Sequence, residues 1–157
     1  MRFATDMALG KLGRHLRAAG FDTLCQHQHR QSGFYSTMER DRVILTRSTS
    51  VKRKFKDRRL IFIVPNDPWR QLEQVVRELD LRRSDTKPFS RCLQCNLEIQ
   101  RIDKMAVRCL VPGYVWNRRQ TFHTCRNCGR VYWAGSHRQR MNRRLAAMFA
   151  NRESENR

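Results

Sequence analysis

The sequence predicts a small parallel α/β sheet with flanking helices over residues 1–80, a linker over residues 81–91, and a second unit over residues 92–157. Short apolar runs alternate with amphipathic stretches before residue 80, which is the pattern of repeated strand–helix–strand units. The linker region mixes charge, serine and proline without apolar periodicity. Two cysteine pairs mark the second unit. A chain of 157 residues has room for one ordinary domain or two small ones.

The first strand and helix are predicted at residues 3–4 and 7–19, and the helix stops at Gly20, a residue suited to that position. The helical spacing places apolar side chains on one face and basic side chains on the other. The apolar set is Leu9, Leu12 and Leu16, and the outward basic set is Lys11, Arg14 and Arg17.

Three more strands are predicted, at residues 23–25, 43–46 and 60–64. A helix follows Asp67 and Pro68, and its apolar face consists of Leu72, Val75, Val76 and Leu79. Residues 26–37 show no clear period, so we expect a loop or a poorly formed helix there.

Four cysteines form two pairs with the spacing of a metal site. They are Cys92, Cys95, Cys125 and Cys128, with 29 residues between the pairs. This arrangement predicts a zinc ribbon, in which four thiolates bind one structural zinc ion and leave no position open for catalysis. The long spacer allows an inserted turn or helix near residues 103–107. Redox chemistry is the alternative, but it requires one pair at the start of a helix.

The chain is strongly basic, with 33 lysines and arginines, 14 acids and a formal net charge of +19. Residues 1–90 and 91–157 carry +9 and +10, so the charge is not confined to a tail. Arginine dominates, with 27 residues against six lysines, and its planar group suits phosphate contacts and base stacking. This composition favours RNA as the partner. A coding bias toward arginine is the competing explanation, although it does not account for the scarcity of acids.

The residues predicted to contact RNA fall in three strips, on the first helix, after the third strand, and on a helix starting near His137. They are Lys11, Arg14, Lys52, Arg53, Lys54, Lys56, Arg138, Arg140, Arg143 and Arg144. A solvated helix face is the alternative for the last strip, where Leu145, Met148 and Phe149 are expected to pack. His137 is interpreted as structural or RNA-facing, with a ligand or base role as the alternative.

No segment approaches the roughly 20 apolar residues that span a bilayer. The first 20 residues carry an acid and interleaved basic residues, unlike a secretory leader. The remaining cysteines, Cys25 and Cys109, lie outside the metal pattern, which suits a reducing compartment. We therefore expect a cytoplasmic protein without membrane association.

Several segments, taken in order, resemble the Mut-seven C-terminal RNase family. They are the opening RFATDMALGKLGRHLRAAGFDTL, the central RVILTR, the NDPWRQLEQVV stretch, the CLQC and CRNC pairs, and the closing GRVYWAGSHRQRM. The resemblance covers most of residues 1–141. It implies a PIN-like α/β domain followed by a zinc ribbon. It also implies a metal-dependent RNase ancestry, in which clustered carboxylates hold Mg²⁺ or Mn²⁺ to activate water.

The resemblance also assigns the candidate catalytic residues, which are Asp6, Asp22 and Asp67. An aspartate usually follows the family's LTR motif, but Ser48 stands there, and the acids expected around residues 30–32 are absent. A two-metal site is not expected, because divalent ions need several hard oxygen ligands. The three aspartates could hold one Mg²⁺, or they could cap helices and pair with arginines. The sequence leaves both readings open.

Two classes of function follow. The first is an RNA-binding protein built on a partly degenerate nuclease, which contacts structured RNA with both basic halves within a large ribonucleoprotein such as the ribosome. The second is an active metal-dependent endoribonuclease with a reduced acidic site. The loss at Ser48 favours binding, whereas the presence of Asp6 and Asp22 favours the enzyme. DNA binding and a purely protein-binding role are less favoured.

Overall fold

The computed structural model describes residues 1–28 and 33–155, with side chains described up to residue 150. Its first layer is a sheet built from β1 (Arg2–Thr5), β2 (Asp22–Cys25), β3 (Val43–Thr46) and β4 (Leu60–Phe62). All neighbouring strands are parallel, in the spatial order β2-β1-β3-β4. The predicted parallel α/β class is confirmed, although β4 ends two residues earlier than expected.

Six α-helices lie in the described part of the chain. They are α1 (Gly10–Ala18), α2 (Phe34–Thr37), α3 (Thr49–Lys54), α4 (Pro68–Glu78), α5 (Gly113–Arg118) and α6 (Ser136–Glu155). Short 3-10 helices occur at Met7–Leu9, Gln26–Gln28, Arg83–Asp85 and Met105–Val107. The helix predicted over residues 7–19 therefore begins as a 3-10 turn. Residues 26–37 contain a 3-10 turn and the single turn α2, and residues 29–32 lie outside the described part.

Side chains alternate between the two faces of the sheet, as the twofold period of a strand requires. The larger core contains Phe3 and Leu45 together with buried side chains of α1, α4 and α6. The smaller core contains Ala4 and Ile44 with side chains of α2, and α3 packs against it. Consequently α1, α4 and α6 cover one face of the sheet, and α2 and α3 cover the other.

Helix α4 shows why the local sequence folds as it does. Asp67 accepts hydrogen bonds from two amides of the first turn at 3.0 Å, and Pro68 occupies the first turn, where no amide donor is needed. Leu72 and Val75 are fully buried on the inner face. The predicted helix and its apolar face are therefore confirmed.

Residues 81–91 lie against the end of α1. Gly20 adopts a φ of 97°, and a Cβ atom there would collide with the Lys87 carbonyl, so only glycine fits. The Lys87 and Phe89 amides donate to carbonyls of α1 and its cap at 3.0 and 2.8 Å. Leu81 is buried in the larger core. The segment that we expect to act as a linker is therefore packed against the first unit at Leu81 and around Lys87 and Phe89, while residues 82–85 between them are exposed. The domain bounds themselves stay a prediction.

A second sheet is formed by β5 (Gln100–Ile102), β6 (Phe122–Thr124) and β7 (Val131–Tyr132). These strands are antiparallel in the order β5-β6-β7. A small core of Val107, Val111, Val115 and Phe122 lies beneath them. The turn or helix expected near residues 103–107 is present as the 3-10 helix Met105–Val107, and α5 follows it.

Arg17 does not point into solvent, so its predicted outward position is wrong. It is 1% exposed and makes five hydrogen bonds, two of them to the Thr23 carbonyl. The others go to the Leu93 and Gln94 carbonyls and to Gln28 Oε1. All five guanidinium donors thus have acceptors, which makes burial of the charge tolerable. Arg17 ties the first sheet to the cysteine-bearing unit, an interaction that helix periodicity cannot reveal.

Helix α6 returns from the second unit to the first. It begins at Ser136, one residue before the predicted start, and buries Leu145 and Phe149 in the larger core. Met148 packs against the same core. None of the helices in the described part of the chain is long and apolar enough to cross a membrane.

Candidate functional site: a sulfur cluster and an acidic edge

The four paired cysteines come together at one point of the second unit. The Sγ atoms of Cys92, Cys95, Cys125 and Cys128 all lie within 4.8 Å of one another. The first pair precedes β5, and the second lies in the turn between β6 and β7. The predicted convergence of these residues is confirmed.

The two pairs form turns of the same design. In each turn, the carbonyl of the first cysteine accepts a hydrogen bond from the amide four residues later. The Asn96 amide donates to Cys92 at 2.9 Å, and the Gly129 amide donates to Cys125 at 2.8 Å. Both of these residues adopt left-handed backbone conformations, with φ of 66° and 67°. Glycine and asparagine are the residues that tolerate this conformation best. The repeated geometry is that of two metal-binding knuckles.

Donors around the Cys92 sulfur favour its thiolate form, whereas the neighbouring sulfurs raise the pKa of Cys128. The Cys95 amide lies 3.3 Å from Cys92 Sγ, and the Tyr132 hydroxyl lies 3.1 Å from the same atom. Burial by itself raises the pKa of Cys92, but these two hydrogen bonds help to lower it to about 7. The Asn127 side-chain amide donates to Cys95 Sγ at 3.2 Å. Hydrogen bonds of this kind, from groups that do not themselves bind the metal, orient the ligands and reduce the charge on thiolate sulfur.

The cluster fits a tetrahedral metal ion such as zinc. Four thiolates at the usual Zn–S distance of about 2.3 Å lie roughly 3.8 Å apart at the corners of a tetrahedron. The Cys92 and Cys128 sulfurs are 3.7 Å apart. A site with four protein ligands has no open position, so a metal held there organises the fold.

The candidate acids do not form a comparable cluster. Asp6 follows β1, is 6% exposed, and accepts three hydrogen bonds. Its Oδ1 accepts from the Ala8 amide at 3.0 Å, and its Oδ2 accepts from the Thr46 hydroxyl at 2.8 Å and the Arg47 amide at 2.6 Å. The carboxylate therefore connects the ends of β1 and β3 and caps the turn after β1.

Asp22 lies at the opposite edge of the sheet. Asp22 is the first residue of β2 and lies beside Arg2 of β1, whereas Asp6 follows Thr5 at the other end of β1. Asp6 is four residues beyond Arg2, so at about 3.3 Å per strand residue the two aspartates are about 13 Å apart along the strands. Metal–oxygen bonds are only about 2.0–2.6 Å long, so these two carboxylates cannot bind one ion.

Asp22 is instead held by cations and an amide. Arg42, itself 3% exposed, donates to both carboxylate oxygens at 2.7 and 3.1 Å, and Asn96 donates at 2.7 Å. Arg2 adds a longer contact of 3.3 Å. Burial opposes ionisation, but the hydrogen bonds from Arg42 and Asn96 lower the pKa of Asp22 to about 2. Because Asn96 follows the first knuckle, this network also joins the two sheets.

Asp67 and Ser48 both act as helix caps. Asp67 is exposed at the start of α4. The Ser48 hydroxyl accepts from the Val51 amide at the start of α3, at 3.3 Å. Between them, the Arg47 guanidinium donates to the Asn66 side chain at 2.8 Å, next to Asp67. A cation therefore lies at the carboxyl-terminal edge of the sheet together with Asp6, Ser48 and Asp67, which we call the acidic edge.

Among residues 1–28 and 33–150, the four cysteines are the one group of three or more potential ligands that could hold a metal ion. The three aspartates make the capping and arginine-pairing contacts that the sequence left open beside metal binding. The acids expected around residues 30–32 fall outside the described residues. His137 lies exposed at the start of α6 and is not part of the sulfur cluster.

The basic strips lie on both sides of the sheet. The strips of α1 and α6 lie over one face, and the strip of α3 with the following Lys56 lies over the other. All ten predicted RNA-contacting side chains are exposed except Arg138, which is partly buried. Arg144 lies 4.5 Å from the Trp69 ring centre and Arg138 lies 4.8 Å from that of Phe89. Each of these two guanidinium groups thus lies over an aromatic ring, which limits its movement.

The model of the Mut7-C RNAse domain matches residues 1–145, which include both sheets and the first half of α6. The chain belongs to the Mut7-C RNAse domain family. No curated protein and no solved structure matches it. The resemblance seen in the sequence is thereby confirmed, and the family gives the chain an RNase-like, RNA-related role.

Sequence reasoning missed several residues of this Mut7-C site. Arg42 and Asn96 hold Asp22, and Tyr132 contacts a cysteine ligand. The position of Asn96 could have been predicted from the sequence, because it follows one CxxC pair as Gly129 follows the other. The role of Arg42 could not, since its partner Asp22 is 20 residues away on another strand.

Proposed function

We propose that this Mut7-C protein binds structured RNA and does not hydrolyse it efficiently, its acidic site having become part of the framework. The observation that carries this proposal is the separation of the acids. Asp6 and Asp22 lie at opposite edges of the sheet, and donors of the fold contact both carboxylate oxygens of each residue. Metal-assisted phosphoryl transfer needs clustered carboxylates to place the ion and the attacking water.

Charge and exposure support RNA as the partner. The formal net charge is +19, and basic side chains of α1, α3 and α6 face solvent on both sides of the sheet. Phosphate neutralisation by such residues releases counterions and provides affinity without sequence recognition. A protein that is basic on two opposite sides suits RNA that contacts it from both, as in a large ribonucleoprotein such as the ribosome. We include that setting, and a cytoplasmic location, in the proposal.

This proposal includes a structural zinc ion but no catalytic Mg²⁺ or Mn²⁺. Zinc at the four cysteines stabilises the second sheet and thereby positions the start of α6. Among the described residues, the acidic edge has no comparable set of ligands for Mg²⁺ or Mn²⁺, and RNA binding as proposed does not require either ion.

The test is the salt dependence of binding to a labelled structured RNA, measured by fluorescence anisotropy. The Arg140→Ala, Arg143→Ala double variant removes two exposed cations from α6. Each lost phosphate contact should reduce the slope of log K against log salt by about 0.9, so we expect a decrease of about 2. Affinity at moderate salt should fall for every RNA sequence.

The matched control is the Arg82→Ala, Arg83→Ala variant, which removes the same charge from exposed positions outside the three strips. Its slope should stay near that of the wild type. An unchanged slope for the α6 variant, or equal losses for both variants, would contradict contact through α6. Absence of RNA binding by the wild type would contradict the proposed function itself.

A further inference from the structure

A cavity of about 240 Å³ lies where residues 81–91, β7 and the start of α6 meet. Its lining is mostly apolar and includes Phe89, Leu93, Ile99, Trp133, Arg138 and Met141. The volume is below the roughly 300–1,000 Å³ that accommodates drug-sized ligands. A cavity of this size and lining suits a single flat ring system.

One wall of the cavity is held in an unfavourable backbone conformation. Phe89 has a φ of 59°, which is an outlier for a bulky side chain. The hydrogen bond from its amide to the Ala18 carbonyl, at 2.8 Å, fixes this conformation. Strained positions of this kind persist where the surroundings impose them, and they cluster at ligand sites. The ring then presents one face to the Arg138 guanidinium at 4.8 Å.

A second cavity of about 310 Å³ adjoins the first. The two share Trp133, Gly135 and His137 as lining residues. The second cavity is further lined by Arg118, Arg119 and the 69% exposed ring of Tyr114. No acidic residue of the described part of the chain lines either cavity. Together they form an aromatic groove, defined here by Phe89, Tyr114 and Trp133, with arginines along it.

We propose that the aromatic groove binds unpaired bases of single-stranded RNA, one in each cavity, with the arginines on the flanking phosphates. This inference rests on the proposed RNA-binding function and adds a site that reads unpaired nucleotides. Single-stranded RNA is recognised by stacking bases on aromatic side chains and arginine planes, beside a cationic track for the backbone. A duplex cannot offer its stacked bases to such cavities, so the groove distinguishes loops and ends from helices.

The charge of the groove decides between RNA and an apolar peptide as occupant. A peptide docking by apolar side chains alone gains nothing from a lining with Arg118, Arg119 and Arg138 and without acids. A nucleotide uses both features, because its base is flat and apolar on its faces and its phosphate is anionic.

The first measurement is intrinsic tryptophan fluorescence during titration with an oligouridine of six nucleotides at low salt. Stacking on Trp133 should quench part of the emission. Trp133→Phe keeps an aromatic ring and should abolish most of the quenching while oligonucleotide affinity, measured by anisotropy, stays within about threefold. Trp69→Phe is the comparison variant, since Trp69 lies outside both cavities, against His15 and the RNA-contacting Arg144. In this variant, oligouridine should still quench the emission of Trp133.

The second measurement compares Phe89→Gly with the wild type. Glycine accepts the positive φ, so this variant removes the ring while relieving backbone strain. Its melting temperature should not fall by more than a few degrees, and its affinity for the oligouridine should fall about tenfold. Affinity for a duplex RNA should change less than twofold. Leu97→Ala, which removes an exposed apolar side chain of the second unit outside both cavities, is the control and should behave as the wild type.

The outcomes separate the two proposals. Duplex binding without oligouridine binding, or equal losses for both RNAs in Phe89→Gly, would overturn the groove and leave the proposed function standing. If the wild type bound neither the duplex nor the oligouridine, the proposed function and the groove would both be overturned. Quenching that survives Trp133→Phe would also exclude the groove as the site of the bases.

Discussion

The sulfur cluster and the candidate aspartates of the first sheet both consist of ligand-type residues, yet they differ in structure. Four cysteines converge within 4.8 Å, whereas Asp6 and Asp22 lie at opposite edges of one sheet. The two cysteines of each pair are three positions apart, so a single turn places two ligands independently of the rest of the fold. The aspartates come from separate strands and helix starts, and their relation depends on strand register. Local motifs predict a site well, while dispersed acids predict one only if the register brings them together.

The two regions also differ in how their polar atoms are used. Donors surrounding the cysteines, such as the Tyr132 hydroxyl, support the charge that a metal ion requires. Donors surrounding the aspartates occupy their oxygens, with the Arg42 guanidinium on Asp22 and the Arg47 amide on Asp6. A carboxylate held on both oxygens is a structural element, since a metal ion would have to displace those donors.

The largest effect should come from removing the metal ligands. The Cys92→Ser, Cys125→Ser double variant takes one ligand from each knuckle. Structural zinc sites contribute on the order of 10 kcal/mol to folding, so we expect loss of bound zinc and unfolding of the second sheet. Elemental analysis and circular dichroism on thermal unfolding measure both. Cys109→Ser, at an exposed cysteine outside the cluster, should retain one zinc ion per chain.

Arg17→Met should be the next most severe change. It leaves the Thr23, Leu93 and Gln94 carbonyls without their donor in a buried place. Each buried carbonyl left without a donor costs about 1–3 kcal/mol, so we expect a total loss of about 3–5 kcal/mol. Urea unfolding gives this value directly. Arg14→Met on the exposed side of the same helix is the control and should change stability by less than about 0.5 kcal/mol. Similar values for both variants would mean that Arg17 does not join the two sheets.

Asp22→Asn should destabilise the protein by about 1–2 kcal/mol at neutral pH, because it weakens the bonds to Arg42 while keeping the shape of the side chain. The pKa of Asp22 is about 2 in the folded protein, below its unfolded value. Its stabilisation is therefore present above about pH 4 and is lost as pH falls toward 2. Unfolding free energies measured across that range should converge for wild type and variant. Parallel curves would argue against an ionised, paired Asp22.

Ser48→Asp should have the smallest effect. Aspartate caps a helix as well as serine does, so the unfolding free energy should change by less than about 0.5 kcal/mol. Ser48→Ala should cost about 1 kcal/mol through loss of the cap. If Ser48→Asp were to bind Mn²⁺ tightly in isothermal calorimetry, the acidic edge would be a site lacking one ligand. We expect no such binding, since Asp22 remains at the other edge.

Much of the fold was predictable because it depends on local pattern. The apolar period of α4, the Asp67–Pro68 start and the CxxC pairs each act over a few residues. What escaped prediction depends on distant partners. Arg17 has the helical spacing of a surface residue, but its acceptors lie up to 77 positions away. The groove around Phe89 likewise arises from three segments that meet only in the folded chain.

The central claim, that this Mut7-C protein binds RNA without turning it over, is tested most directly by cleavage of a labelled structured RNA in Mn²⁺. Wild type and Asp6→Asn should be compared at a temperature where both are folded, with zinc content confirmed. We expect the two proteins to have equal RNA affinity within about twofold, and neither to show multiple turnover. Robust multiple turnover by the wild type that disappears in Asp6→Asn would contradict it and establish an active endoribonuclease.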